Sequence, residues 1–217
     1  MRLHESIIEI LEYIFPPDRK QHAVLHADTN ALRKRLPRAA DDTPAFIHAA
    51  FRYRAEPAET LLHLLKYKGD PRAVRTCAHL LYEELIDVLA ENILQEYSPD
   101  IFIPIPLSSE RKRERGFNQS ELLLNTMCEY DDANIITPHT DVLYKPHPTL
   151  SQTQMPNKKQ RKENVRGCFS TADSEKISGR NCVLIDDIVT TGATLTEARK
   201  TLHKAGADNV VGLAFAH

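Results

Sequence analysis

The residues with the clearest chemical potential in this 217-residue chain are Asp186 and Asp187, which follow Val183-Leu184-Ile185 and precede Thr190-Thr191-Gly192-Ala193-Thr194. Three consecutive apolar residues fit a central parallel strand covered on both faces, and the carboxyl end of such a strand is where open α/β sheets bind ligands. The threonine-rich turn leads into a helical pattern. Its backbone N–H groups, its hydroxyls and the positive helix end can therefore surround a phosphate, with Gly192 letting the backbone approach closely. Two carboxylates beside such a turn would repel a bare phosphate, so the ligand must also carry groups that favour carboxylates: sugar hydroxyls, a divalent cation, or both. A phosphorylated sugar meets every condition. The seven glycines include no Gly-x-Gly and no Gly-Lys-Ser/Thr, which removes the common nucleotide motifs. The plainer alternative, acids capping a turn and threonines capping a helix, accounts for each pair but not for the ordered string.

A sugar pyrophosphate also needs cations for its leaving group. Residues 108 to 119 carry Arg111, Lys112, Arg113 and Arg115, and Arg113 and Arg115 beside Gly116 are the candidates to pair with pyrophosphate oxygens. The alternative is a solvated charged loop, because Glu110 and Glu114 interleave with the cations.

The elements that must position these residues are legible in outline. Leu3, Ile7, Ile10, Leu11 and Ile14 mark a short amphipathic helix stopped by Pro16-Pro17. Residues 18 to 50 are weakly periodic and read as an irregular or small subdomain. From Pro57 a helical spacing runs to Gly69, a left-handed cap position, and Asp70-Pro71 starts a second helix to about residue 95. The run 101 to 106 is a strand, and Asn118 with Glu121 opens a helix to about Tyr130. Residues 134 to 137, 181 to 186 and 209 to 215 read as further strands, the last preceded by a helix over 195 to 204. Strands alternating with helices imply a mostly parallel sheet with helices on its faces. The expected organisation is an N-terminal region, 1 to 50, and an α/β domain, 51 to 217.

Composition narrows the remaining options. With 41% hydrophobic and 27% charged residues the chain reads as a globular protein, and a net charge of −2 gives no global pull toward nucleic acid or anionic lipid. No apolar run approaches the ~20 residues that cross a bilayer, and MRLHESIIEI lacks a signal-peptide layout, so a cytoplasmic location is expected. Cys77, Cys128, Cys168 and Cys182 form no Cys-x-x-Cys pair, so neither a zinc ribbon nor a disulfide framework is expected. His22 and His26 have a metal-compatible spacing but lack a second ligand pair, and ordinary surface histidines are the simpler reading.

The string VLIDDIVTTGAT, 183 to 194, resembles the signature of the type I phosphoribosyltransferases: an apolar strand, two acids, two variable residues, then Thr/Ser-Thr-Gly-x-Thr. Further stretches resemble the ComF family, competence-associated proteins of phosphoribosyltransferase type. These are PIPLSSERKRERGFNQSELL (104 to 123), LLHLLKYKGD (61 to 70) and LYKPHPTLSQTQMPNKKQRKENVRGCF (143 to 169). IIEILEYIFPP, 7 to 17, is similar to the helix that precedes a four-cysteine zinc ribbon in many members, but no cysteine follows it here. The resemblance implies binding of phosphoribosyl pyrophosphate (PRPP) with Mg²⁺. In that scheme Asp186 and Asp187 hold the ribose hydroxyls and the metal, and Thr190, Thr191, Gly192, Ala193 and Thr194 hold the 5′-phosphate. It also implies that the basic 143 to 169 segment, with Lys158, Lys159, Arg161, Lys162 and Arg166, closes over the reacting centre, Lys158 and Arg161 touching the ligand. The implied activity is phosphoribosyl transfer to a nitrogen acceptor. A non-catalytic PRPP sensor or a single-stranded-DNA-handling competence factor is the other reading, with competence machinery or a second copy of the chain as partners.

Overall fold

The sheet that carries the site is built from short apolar runs: β1 (Ile47–Phe51), β2 (Ile101–Pro104), β5 (Asn181–Ile188) and β6 (Asn209–Ala216). They lie in the order β1-β6-β5-β2, and every pairing is parallel. A small antiparallel ribbon joins β3 (Leu143–Tyr144) to β4 (Ser170–Thr171). The computed structural model describes residues 18–40, 43–90, 98–146 and 165–217.

Helices cover both faces of the sheet, as the continuous apolar strands require. On one face α3 (Ala58–His63), α4 (Pro71–Ala90) and α6 (Gln119–Met127) bury Leu61, Leu81, Leu85 and Leu123 against Val183, Ile185, Leu213 and Phe215. On the other, α7 (Ala193–Lys204) and the ribbon bury Leu195, Leu202, Val142 and Leu143 with Cys182, Leu184 and Ala214. Odd and even residues of β5 thus serve opposite cores, the period of two that a strand imposes. Val183, Leu184 and Ile185 are 1%, 0% and 0% exposed, so each contributes about 1.5–3 kcal/mol of burial.

Several sequence expectations take a different form. Residues 18–40 fold into α1 (Arg19–Leu25) and α2 (Thr29–Arg35), capped by the carboxylates of Asp18 and Asp28. Val24, Leu25 and Leu36 share the core of α3 and α4. Strand β1 takes in residues on both sides of the expected boundary at 50, so residues 18–50 are not set apart from the sheet. Residues 134–137 form no strand. They meet β2 through one bridge, Phe102 to Pro138, with hydrogen bonds from Phe102 N–H to Thr137 O and from His139 N–H to Phe102 O. The Asp131 carboxylate captures the Ile136 N–H at 2.6 Å, so that donor is not available to a ladder.

The charged stretch read as a loop is helical from Ser109 to Arg115 (α5), because Ser108 caps its start and Gly116 its end. Gly69 adopts the left-handed conformation expected of it, φ +55°, after one widened turn over Leu64–Lys68 in which the Gly69 N–H reaches Leu64 O. The helix expected at 3 to 15 and the end of the helix expected to reach 95 lie outside the described residues. Among the described residues no helix is long and apolar enough to cross a membrane.

Candidate functional site

Strand β5 delivers Asp186 and Asp187 to the carboxyl end of the sheet. Successive residues of a strand leave on opposite faces. Both carboxylates nevertheless line one cavity of about 300 Å³, because it lies across the strand end rather than on either face. They are 9% and 7% exposed. Asp186 Oδ1 accepts from Ser120 Oγ at 3.2 Å and from the Asp187 N–H at 2.9 Å. Burial, and next the Asp187 charge, raise the Asp186 pKa to about 7. Asp187 Oδ2 instead lies 3.4 Å from Lys66 Nζ.

The threonine turn continues the same wall. Thr190 and Thr194 line the cavity, and a smaller hollow beside it is lined by Asp186, Thr190, Gly192, Ala193 and Thr194. Thr191 lines neither. Its hydroxyl accepts the Ala193 N–H at 3.4 Å and serves the turn itself. Gly192 has φ +69°. The hydrogen in place of its side chain faces the protein, where a Cβ would sit 2.9 Å from Ile47 Cδ1 and 3.0 Å from Pro44 Cδ. Gly192 therefore lets the turn pack on the strand beneath it and take a left-handed conformation, a different need from the close ligand approach expected of it.

The opposite wall comes from distant segments. Helix α5 places Arg111 and Arg115, four residues apart, on one face toward the cavity. Arg113 is on another face, exposed, with Nε donating to Ser109 O at 3.4 Å. Arg111 thus takes the place expected of Arg113, since the helical period was invisible while the stretch read as a loop. Gly116 is outside the lining and ends α5 at φ +80°. Arg111 is half-buried, and its Nη2 has no hydrogen-bond partner among the described residues. Burial first and the Arg115 charge second lower its pKa, a strain that a bound anion would relieve. Lys145, just past β3, lines the same wall with its ammonium 5.5 Å from the Phe169 ring centroid, and burial lowers its pKa. Tyr67, 64% exposed, stands at the rim with the Arg115 guanidinium 5.7 Å from its ring centre.

The first residues of α6 tie the walls together. The Asn118 carboxamide accepts from the Ser120 N–H (3.2 Å) and donates to Ile105 O (3.1 Å), and Gln119 Nε2 donates to Lys66 O at 3.2 Å. The Phe117 ring packs against Gly69, where a Cβ would come within 2.9 Å of it. The stretches 66–69 and 116–120, remote in sequence, therefore interlock. Lys66, Lys145 and Ser120 line the cavity and are not among the residues expected there. Their only signal was membership of the family-like stretches, because nothing local to them indicates a ligand. Lys158 and Arg161 lie outside the described residues.

The donor set suits a hard divalent cation. No cluster of three or more His, Cys, Asp or Glu side chains able to hold a metal occurs among the described residues. Two buried carboxylates lining one cavity suit Mg²⁺, which is commonly held by one or two carboxylates with the substrate's oxygens completing the shell. The His22 and His26 rings lie against each other at a tilt of 34°, their centres 4.2 Å apart.

The family model described as phosphoribosyl transferase domain matches residues 78–217. Competence protein F of Haemophilus influenzae is 32% identical over 156 residues, 71% of this chain and 66% of that protein. The chain belongs to the ComF family of phosphoribosyltransferase-type proteins. DNA utilization protein YhgH of Shigella flexneri is 30% identical over 161 residues, 72% of this chain and 65% of the relative. Competence protein ComFC of Bacillus subtilis is 30% identical over 164 residues, 73% and 58% respectively. The chain thus spans a little under two thirds of the length of these relatives. The phosphoribosyl transferase match begins inside α4, so the wall formed by residues 53–67 lies ahead of it.

Proposed function

We propose that this ComF protein binds PRPP with Mg²⁺ and transfers the phosphoribosyl group to a nitrogen acceptor. One observation carries the reading: the Asp186 and Asp187 carboxylates, the Thr190 and Thr194 turn and the Arg111, Arg115 and Lys145 cations line a single cavity at the carboxyl end of a parallel sheet. A ribose diol and its metal suit the carboxylates, the 5′-phosphate suits the turn at the start of α7, and the pyrophosphate suits the cations.

In the transfer the bond from the sugar C1 to pyrophosphate oxygen breaks, a bond from the acceptor nitrogen to C1 forms, and the nitrogen proton passes to solvent. Arg111, Arg115 and Lys145 stabilise the charge gathering on pyrophosphate, in a cavity where water screens it less than in bulk. Asp186, fixed by Ser120, and Asp187 orient the ring and would hold the metal, and neither acts as a proton carrier. A bound Mg²⁺ would supply further positive charge to the leaving group. The test is calorimetric titration of PRPP with and without Mg²⁺ into the wild type and the Asp186→Asn/Asp187→Asn double variant. Equal affinities would defeat the assignment.

The names of the relatives support placing the protein in the use of incoming DNA. Tyr67, exposed at the cavity rim under the Arg115 guanidinium, favours a second reading in which a base of single-stranded DNA stacks there and PRPP is sensed rather than consumed. Oligonucleotide binding measured against salt, with and without PRPP, separates the two. No binding at low salt removes the DNA reading, and pyrophosphate release with a nitrogen acceptor removes the sensor.

A further inference from the structure

Two carboxylates on adjacent residues, each less than a tenth exposed, are costly to keep side by side without a nearby positive charge. Among the described residues, Lys66, Arg111, Arg115 and Lys145 line the cavity and could supply it. Among the described residues Asp187 has an ion pair with Lys66 alone, 3.4 Å from Nζ to Oδ2. The two side chains are 20% and 10% exposed, so water screens this pair far less than a surface one.

The geometry of Lys66 separates what is fixed from what can move. Its carbonyl is held by Gln119 Nε2 at 3.2 Å, and the widened turn over Leu64–Lys68 sets where the side chain departs. Beyond that anchor are four methylenes and one ion pair, with no hydrogen bond to a second group among the described residues. The ammonium can therefore leave Asp187 while the backbone stays in place, and the wall that carries Lys66 also carries Arg111, whose Nη2 has no hydrogen-bond partner among the described residues.

We propose that Lys66 is a built-in counter-ion, whose ammonium takes at Asp187 the place of a divalent cation, so that metal and Lys66 exclude one another until an anionic substrate draws the ammonium away. This rests on the sugar-phosphate reading of the cavity and adds its regulation. Free metal ion then binds weakly because it must displace a positive charge. Metal and substrate bind together because the phosphate oxygens accept the displaced ammonium. Lys66 is in this sense a positioning residue, since it acts on the substrate side only after Asp187 has exchanged partners.

Calorimetric titration of Mg²⁺ alone into wild type, Lys66→Met and Lys66→Arg tests it. Lys66→Met is expected to bind the free ion about tenfold more tightly than wild type, and Lys66→Arg within about twofold of it. Addition of PRPP should raise Mg²⁺ affinity strongly in wild type and less in Lys66→Met. A residue that served only to hold the fold would lower the melting temperature without tightening metal binding. Unchanged or weaker Mg²⁺ binding by folded Lys66→Met overturns the proposal, and Lys66→Gln gives the same comparison if the methionine variant does not fold. Failure of the wild type to bind Mg²⁺ with PRPP would instead overturn the reading of the cavity. Wild-type binding together with an unaltered Lys66→Met overturns the counter-ion alone.

Discussion

The cavity has two walls of different origin. One is a single stretch of chain, residues 186 to 194, in which strand, acids, turn and helix start follow one another. The other is gathered from residues 53–67, 105–120, 145 and 165, brought together by the packing of α3, α5 and α6. The first wall keeps its chemistry because local structure dictates it: the strand alternates, Gly192 turns the chain and α7 begins. The second keeps its chemistry only while Gln119 holds Lys66, Asn118 holds Ile105 and Phe117 fills the space beside Gly69. A local wall is read from spacing, whereas an assembled wall is read from contacts.

The largest effect is expected at the local wall. Asp186→Asn with Asp187→Asn should weaken Mg²⁺-dependent PRPP binding by at least about 100-fold in calorimetry, roughly 2.7 kcal/mol. An equally large loss from an assembled-wall residue alone would break the ranking of the two walls.

Arg111→Met should weaken inorganic pyrophosphate binding by about tenfold, while Arg113→Met leaves it unchanged. Because the Arg111 guanidinium is half-buried with an unpartnered nitrogen, the same substitution should raise unfolding stability in urea by roughly 0.5–1 kcal/mol, discounted for its remaining exposure. Equal effects from Arg113 would undo the assignment made from the α5 face.

Gly192→Ala should lower stability by about 1–2 kcal/mol, since the new Cβ meets Ile47 and Pro44 in a left-handed backbone. A smaller cost in urea unfolding would mean that the turn relaxes freely. The smallest change belongs to Tyr67→Ala, within about 0.5 kcal/mol in stability because the ring is exposed. A larger loss would show that the rim supports the fold.

The limits of the sequence reading follow particular residues. The Thr190–Thr194 turn was legible because each residue's role depends on its neighbours. The sequence favours Arg113 over Arg111 only while 109–115 reads as a loop, and the Ser108 cap that turns it into a helix is hard to see among charged residues. Residues 134–137 looked like a strand by composition, but the Asp131 carboxylate takes one of their donors and leaves a single bridge to β2. Residues 18–40 offered little periodicity because α1 and α2 are seven residues each and bury only Val24, Leu25 and Leu32.

By itself the amino-acid order determined the parallel α/β sheet, the strand that ends in two acids, the turn after it and the left-handed cap at Gly69, all set by backbone preferences and hydrophobic period over a few residues. Tertiary structure alone decided that Lys66 meets Asp187, that Ser120 meets Asp186 and that Arg111 rather than Arg113 faces the cavity. Those pairings join residues dozens to more than a hundred positions apart, and only the burial of α3, α4 and α6 on one face of the sheet brings them within bonding distance.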